Sequence, residues 1–185
     1  MVYHSGMSGY QEIIDRYYPP ESLRRVIYMR HCTQVADLAV EIARRKKLPI
    51  AESTVRRAAM LHDIGIFLTS APDIGCTGEH PYIMHGVLGA SLLRGEWGDE
   101  ESARVAERHT GAGITAGEVV EQGLPLPVAD YMPQTMLERL VCYADKFYSK
   151  SGAMERKPLD KAIRSMERIS PATLHRFMKL HEEFG

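Results

Sequence analysis

The sequence predicts an all-α fold, a single-domain helical bundle. Apolar residues recur at helical spacing almost everywhere, while Val/Ile/Thr runs alternating with polar residues, the mark of strands, are nearly absent. A chain of 185 residues, 44% hydrophobic and 25% charged, also falls in the range of one domain with a sizeable core.

A first helix is expected over about residues 9–18, stopped by Pro19-Pro20, because proline lacks the N–H that a helix interior uses. A second runs from near Ser22 to Lys47, with Val35, Leu38, Ala39 and Ile42 on one face. A third begins near Glu52 and reaches His62. Residues 69–81, TSAPDIGCTGEHP, carry the turn formers of a long loop, and such a loop in a compact domain is often functional. Helix resumes over about Tyr82–Arg94 and again over Asp99–His109. In TAGE, Thr115 and Glu118 have capping-box spacing, which marks another helix start. GLPLPVADYMP reads as a connector. QTMLERLVCYADKFYSK gives a strongly amphipathic helix over about 136–149, and 159–184 finishes the chain after Pro158 with a break at Pro171. The domain core is therefore expected at about 22–150, with helix 9–18 and the helices of 158–184 packed on it.

Lys and Arg number 23 against 24 Asp and Glu, a net charge of −1, so no strong overall field is available to grip a polyanion. Nucleic acid is not expected as the main partner. The N-terminal stretch lacks the basic-then-apolar layout of a signal peptide, and no apolar run reaches the roughly 18 residues of a membrane span. A cytoplasmic protein with no membrane partner is the expectation. Cys32, Cys76 and Cys142 form no CxxC pair and leave an odd thiol in any disulfide scheme, which fits small core residues in a reducing compartment. His4, His175 and His181 are expected at the surface. The apolar residues Leu174, Phe177, Met178 and Leu180 of the last helix suit a partner as well as the chain's own core, which leaves a homodimer open.

Six residues do not fit a plain core. His31 lies four residues before Val35 on the inward face of the second helix. His62 and Asp63 end the third helix just before Gly65. His85 opens HGVLGASLL, whose Gly86, Gly89 and Ala90 let another helix approach closely. His109 closes ARVAERH, and Asp145 falls on or beside the apolar stripe of the 136–149 helix. Four histidines and two aspartates at inward helix edges would leave buried polar groups unpaired unless something positive sits among them. One or two divalent metal ions supply that charge. Structural zinc favours close Cys/His pairs, so a set dispersed over more than a hundred residues points to a site assembled by the fold.

The order His31, His62-Asp63, Asp145 resembles the H…HD…D signature of the HD-domain metal-dependent phosphohydrolases, and residues 62–65 spell HDIG, the variant that names one subgroup. HTGAGIT and LPLPVADYMPQTMLERLVCYADK are similar to a small stand-alone HDIG family found mostly in archaea. The resemblance implies a helical domain of HD type, with His31, His62, Asp63 and Asp145 on a first metal, Asp63 shared, and His85 and His109 completing a second. His80, in the long loop, competes with His85 for that place. Iron or manganese is implied, with zinc, cobalt, nickel or magnesium compatible with the same donors. Where several relatives have lysine directly after HDIG this chain has Ile66, and the GYP element of the cyclic-di-GMP phosphodiesterases is missing. A phosphate-binding cation must then come from elsewhere; Arg108 and Lys146 are the nearest in sequence.

The activity so implied is hydrolysis of a phosphoester or phosphoanhydride in a nucleotide or dinucleotide, with a small-molecule nucleotide as substrate. Asp63 would hold the ions or orient the nucleophile, while Arg108 or Lys146 would stabilise charge developing on phosphate. A catalytically weak nucleotide-binding regulatory module that keeps the metal site is the alternative, and Ile66 is the feature that favours it. Tyr28, Phe67 and Tyr82 are candidates for stacking on a base, although aromatic residues at such positions usually pack in the core.

Overall fold

The computed structural model describes residues 9–185, and His4 lies outside the described residues. The predicted helices form in the predicted order. α1 (Gly9–Tyr17) buries Ile13 and Ile14 and ends before the proline pair. α2 (Leu23–Arg45) starts at Ser22, whose side chain accepts from the Arg25 N–H, and buries Cys32, Val35, Leu38, Ala39 and Ile42. α3 (Glu52–Leu61) leads through His62 and Asp63 into a 3-10 turn, Ile64–Leu68.

The long loop contains more order than its composition suggests. β1 (Ser70–Ala71) pairs antiparallel with β2 (Cys76–Thr77), Ser70 opposite Thr77, around a left-handed Gly75 with φ of 75°. α4 (His85–Trp97) follows a 3-10 turn at Tyr82–Met84 and ends at Gly98; α5 (Glu100–Arg108) is capped by Asp99. The Thr115–Glu118 capping box opens α6 (Ala116–Glu121) as expected. α7 (Met136–Asp145) carries a second capping box, Thr135 with Glu138. It is shorter than its amphipathic pattern suggests. The chain turns at Lys146, and Tyr148 donates back to the Asp145 carbonyl instead of continuing the ladder. α8 (Leu159–Glu167) and α9 (Pro171–Phe184) are divided at Ser170-Pro171, where proline occupies the first helical position.

α2 packs on α3 and α7, α5 packs on α3, α4 and α7, and α9 covers α7 and α8. One apolar cluster runs continuously from Ile13 to Phe184. Phe177 and Leu180 enter it and Leu174 and Met178 pack against it, so the last helix covers its own core. All three cysteines are free and buried. Among the described residues no helix is long and apolar enough to cross a membrane.

Glycines set how closely the central elements approach. A Cβ on Gly65 would stand 2.2 Å from the His85 carbonyl oxygen and 2.4 Å from the Gly89 nitrogen, and one on Gly86 would meet the Ala106 carbonyl at 2.6 Å. Gly65 lies in the turn that follows the end of α3. It removes the atom that would hold α4, and with it His85, away from the HD dipeptide.

Candidate metal centre

Three of the central histidines stand at helix ends and fold back onto their own backbone. His62 caps α3, His109 caps α5 and His85 opens α4. In each, Nδ1 faces the carbonyl three residues earlier: Ala59 at 2.6 Å, Tyr82 at 2.7 Å and Ala106 at 2.7 Å. A carbonyl only accepts, so Nδ1 donates and carries a proton; in His85 and His109, which burial keeps neutral, this leaves the lone pair on Nε2, and in His62 it directs Nε2 at the carboxylates. Metal-ligating imidazoles are oriented by this kind of backbone bond. His31 projects from the middle of α2, and its Nε2 lies 3.0 Å from Asp145 Oδ1.

Asp63 sits at the centre, fully buried, with each oxygen serving a different pair of rings. Oδ2 lies 3.2 Å from Nε2 of both His31 and His62, whereas Oδ1 lies 3.2 Å from His109 Nε2 and 3.4 Å from His85 Nε2. None of these approaches has hydrogen-bond direction: both Asp63 oxygens and His62 Nε2 are buried without a hydrogen-bonded partner. The atoms converge on shared points more than they point at one another.

His85 Nε2 and His109 Nε2 face each other at 3.0 Å. Burial pushes the His85 pKa down to about 3 and lowers that of His109 as well, so both rings are neutral. Two facing lone pairs repel unless a cation lies beside them. Burial also opposes the charging of His62 and of both carboxylates, but it is outweighed. The Asp63 charge raises His62 well above its usual range, and cations hold Asp63 (His62, then Lys150) and Asp145 (Lys146) well below theirs.

Ligand atoms of His31, His62 and Asp63, of His62, His109 and Asp145, and of Asp63, His85 and His109 each lie within 4.8 Å of one another. The donor chemistry, four imidazoles and two carboxylates, fits transition ions well. Asp63 Oδ1, buried without a hydrogen-bonded partner between the neutral rings of His85 and His109, is the arrangement that a bound cation stabilises. All six side chains predicted from the sequence therefore meet in one buried cluster. His80 is exposed, past the hairpin, and belongs to none of these groups.

The cations fall differently from expectation. Arg108, although next to His109 in sequence, turns its guanidinium to Glu138 and Glu107, each at 3.3 Å. Neighbours on a helix point about 100° apart, which sends Arg108 out of the cluster while His109 faces in. Lys146 does reach the site, but its Nζ is held 2.7 Å from Asp145 Oδ2 and 2.7 Å from the His109 carbonyl. The sequence reading missed Lys150. Its Nζ makes a 2.7 Å ion pair with Asp63 Oδ2 and lies 6.0 Å from the Tyr82 ring, and although burial opposes it, the Asp63 charge raises its pKa well above the ordinary lysine value. The early end of α7 is what brings it there. Of the aromatic candidates, Tyr28 is buried with its hydroxyl on the Met60 carbonyl, and Phe67 stacks on Tyr17. Tyr82 alone of the three is 39% exposed, beside His85.

Comparison with known proteins follows the same residues. The HD domain family model matches residues 28–149, a span that includes all six cluster residues. An uncharacterised protein of Methanocaldococcus jannaschii is 36% identical over 143 residues, 76% of this chain and 75% of the relative. Two proteins named tRNA (cytidine(56)-2'-O)-methyltransferase are also similar. That of Picrophilus torridus is 35% identical over 86% of this chain, and that of Thermoplasma volcanium 33% identical over 81%. The chain spans only 42% and 41% of the length of those two relatives. No solved structure matches the chain. Matched over most of its length, and carrying the clustered histidines and aspartates in the order H…HD…D, the chain belongs to the HD-domain family.

Proposed function

We propose that the chain is a metal-dependent phosphohydrolase acting on a phosphoester or phosphoanhydride bond of a nucleotide. The single observation that carries this reading is the Asp63 carboxylate between two pairs of Nε2 atoms, with His85 and His109 facing at 3.0 Å. His31, His62, Asp63 and Asp145 would hold one ion; Asp63, His85 and His109 would hold a second, iron or manganese in both places. Ions so bound activate water and neutralise phosphoryl charge. The chain's own residues do the rest. Backbone bonds fix the rings, Lys146 keeps Asp145 ionised, and Lys150 turns from Asp63 to a phosphate oxygen and takes the role first considered for Arg108 or Lys146. Tyr82 offers a face for a base at the mouth of the site.

The test is a panel of nucleotides offered to manganese-loaded protein with a phosphate readout. His62→Ala and Asp63→Ala are expected to abolish release while circular dichroism keeps its helical signal. Tight nucleotide binding by the wild type without any release would instead favour the regulatory module. A second reading concerns the substrate. The relatives named as tRNA methyltransferases carry a matching segment in about two-fifths of their length, which supports an RNA-linked nucleotide and opposes the expectation that nucleic acid is not a main partner.

A further inference from the structure

The even net charge of the chain conceals one strongly uneven segment. Residues 149–168 carry six basic side chains against three acidic ones. The loop after α7 and the length of α8 together line a groove of about 580 Å³, whose walls include Ser149, Ser165, Lys157, Lys161 and Arg168. Arg164 lines it too, but is paired with Asp160 at 2.6 Å; Arg156 stands 4.0 Å from Glu41. Lys157, Lys161 and Arg168 have no ion pair among the described residues. Glu155 is the one carboxylate among the lining residues, so the three cations outnumber it; they repel one another, and an anion relieves that repulsion.

The arrangement of the cations is linear. Lys161, Arg164 and Arg168 follow one another at helical spacings of three and four, a stripe about 10 Å long on one face of α8 and its C-cap, and Lys157 stands just before the helix, next to its N-cap Pro158. A compact phosphate cluster would be met by a ring of donors, whereas a row one helical turn apart suits an extended polyanion. The groove carries no aromatic side chain, so it is built for backbone phosphates and not for bases. The chain that lines it also supplies a residue of the metal centre. Ser149 and Ser151, both lining residues, flank Lys150, which reaches Asp63. Lys157 also senses Asp145, Lys146 and Lys150 electrostatically.

We propose that this groove binds the sugar-phosphate backbone of single-stranded RNA and leads one nucleotide to the metal centre, with Tyr82 stacking the base there. The proposal rests on the phosphohydrolase reading for the bond that is cleaved, but not for the binding itself. An extended strand held along α8 makes the substrate an oligonucleotide, with the scissile phosphate placed where Lys150 stands.

The experiment uses the full, manganese-loaded chain and a labelled single-stranded RNA of about 12 nucleotides, titrated across salt. Three to four phosphate contacts predict that log K falls against log salt with a slope of about −2 to −3. The triple variant Lys157→Ala, Lys161→Ala, Arg168→Ala is expected to bind at least about tenfold more weakly with a slope shallower by about 2, while manganese content and melting temperature match wild type. Lys161→Arg with Arg168→Lys should bind RNA as wild type does. Equal affinity and slope in the triple variant, or no RNA binding by the wild type at low salt, overturns the proposal. A triple variant that loses mononucleotide binding as severely as RNA binding marks a small-nucleotide pocket and overturns it too. RNA binding with no turnover of any nucleotide would sink the phosphohydrolase reading alone; turnover of mononucleotides without RNA binding would sink the groove alone.

Discussion

Among the single residues, which atoms face which decides the chemistry. Asp63 divides its two oxygens between His31/His62 and His85/His109, and Lys150 competes for one of them. Replacing Lys150 by methionine removes the charge but no ligand. The expected result is a fall in kcat of about 10²–10³-fold with metal content unchanged, measured by steady-state kinetics beside elemental analysis. Lys146→Met should do the reverse, lowering metal content through Asp145. His85 gives a pH prediction. Folded, it stays neutral down to about pH 3, whereas an unfolded imidazole takes its proton near 6.5. Between those values the unfolded state binds more protons, so this ring's contribution to stability is lost as pH falls. Metal-free His85→Asn, whose amide can keep the bond to the Tyr82 carbonyl, should flatten the acid limb of the denaturation profile; an unchanged limb would refute the assignment.

The six cluster residues were legible because polar groups at inward helix positions conflict with an apolar pattern, and that conflict is visible in one dimension. Arg108 misled because adjacency in sequence is not adjacency in space on a helix. Lys150 was invisible because the amphipathic pattern carries a helix past Asp145, whereas the chain turns at Lys146 and aims Lys150 back at Asp63.

At the element scale, the decisive features are where helices stop and how closely they meet. The pattern of QTMLERLVCYADKFYSK continues past Asp145, but the backbone turns there, since sequence periodicity records which face is buried and not where a ladder ends. Both capping boxes show the converse. The hydroxyls of Thr115 and Thr135 each accept from the backbone N–H three residues on, while their own backbone N–H groups donate to the Glu118 and Glu138 carboxylates, and that local chemistry fixes a start independently of tertiary context. The close approach at Gly65 was not legible, because a single sequence does not show what approaches a glycine from elsewhere. Gly65→Ala forces its methyl into the His85 carbonyl and the Gly89 nitrogen. A cost of about 1–3 kcal/mol is expected, with a melting temperature lower by about 2–4 °C per kcal/mol and a weaker manganese affinity, both read by thermal melts across metal concentration. An alanine variant that melts and binds as wild type would show that α4 has room to move.

At the scale of the whole molecule, the bundle gathers four imidazoles and two carboxylates from five separate stretches of chain into its core, at a cost in desolvation that the apolar cluster around them must offset. A bound ion reverses the sign of that cost. Metal at about one hundred times its Kd should stabilise the fold by about 2.7 kcal/mol, a rise of about 5–10 °C for a chain of this size, undone by a chelator and absent in Asp63→Asn. The all-helical architecture followed from periodicity, whereas the small hairpin of Ser70–Thr77 did not, because its strands are too short to alternate. Net charge was the least informative quantity of all: a mean near zero is compatible with a basic stripe along α8. The central claim, that the cluster is a metal centre, is tested most directly by anomalous scattering from crystals of the manganese-loaded protein. Manganese peaks are expected among the Nε2 atoms of His31, His62, His85 and His109 with Asp63 between them. A cluster without anomalous signal at saturating metal, or ions bound only elsewhere on the chain, would contradict it.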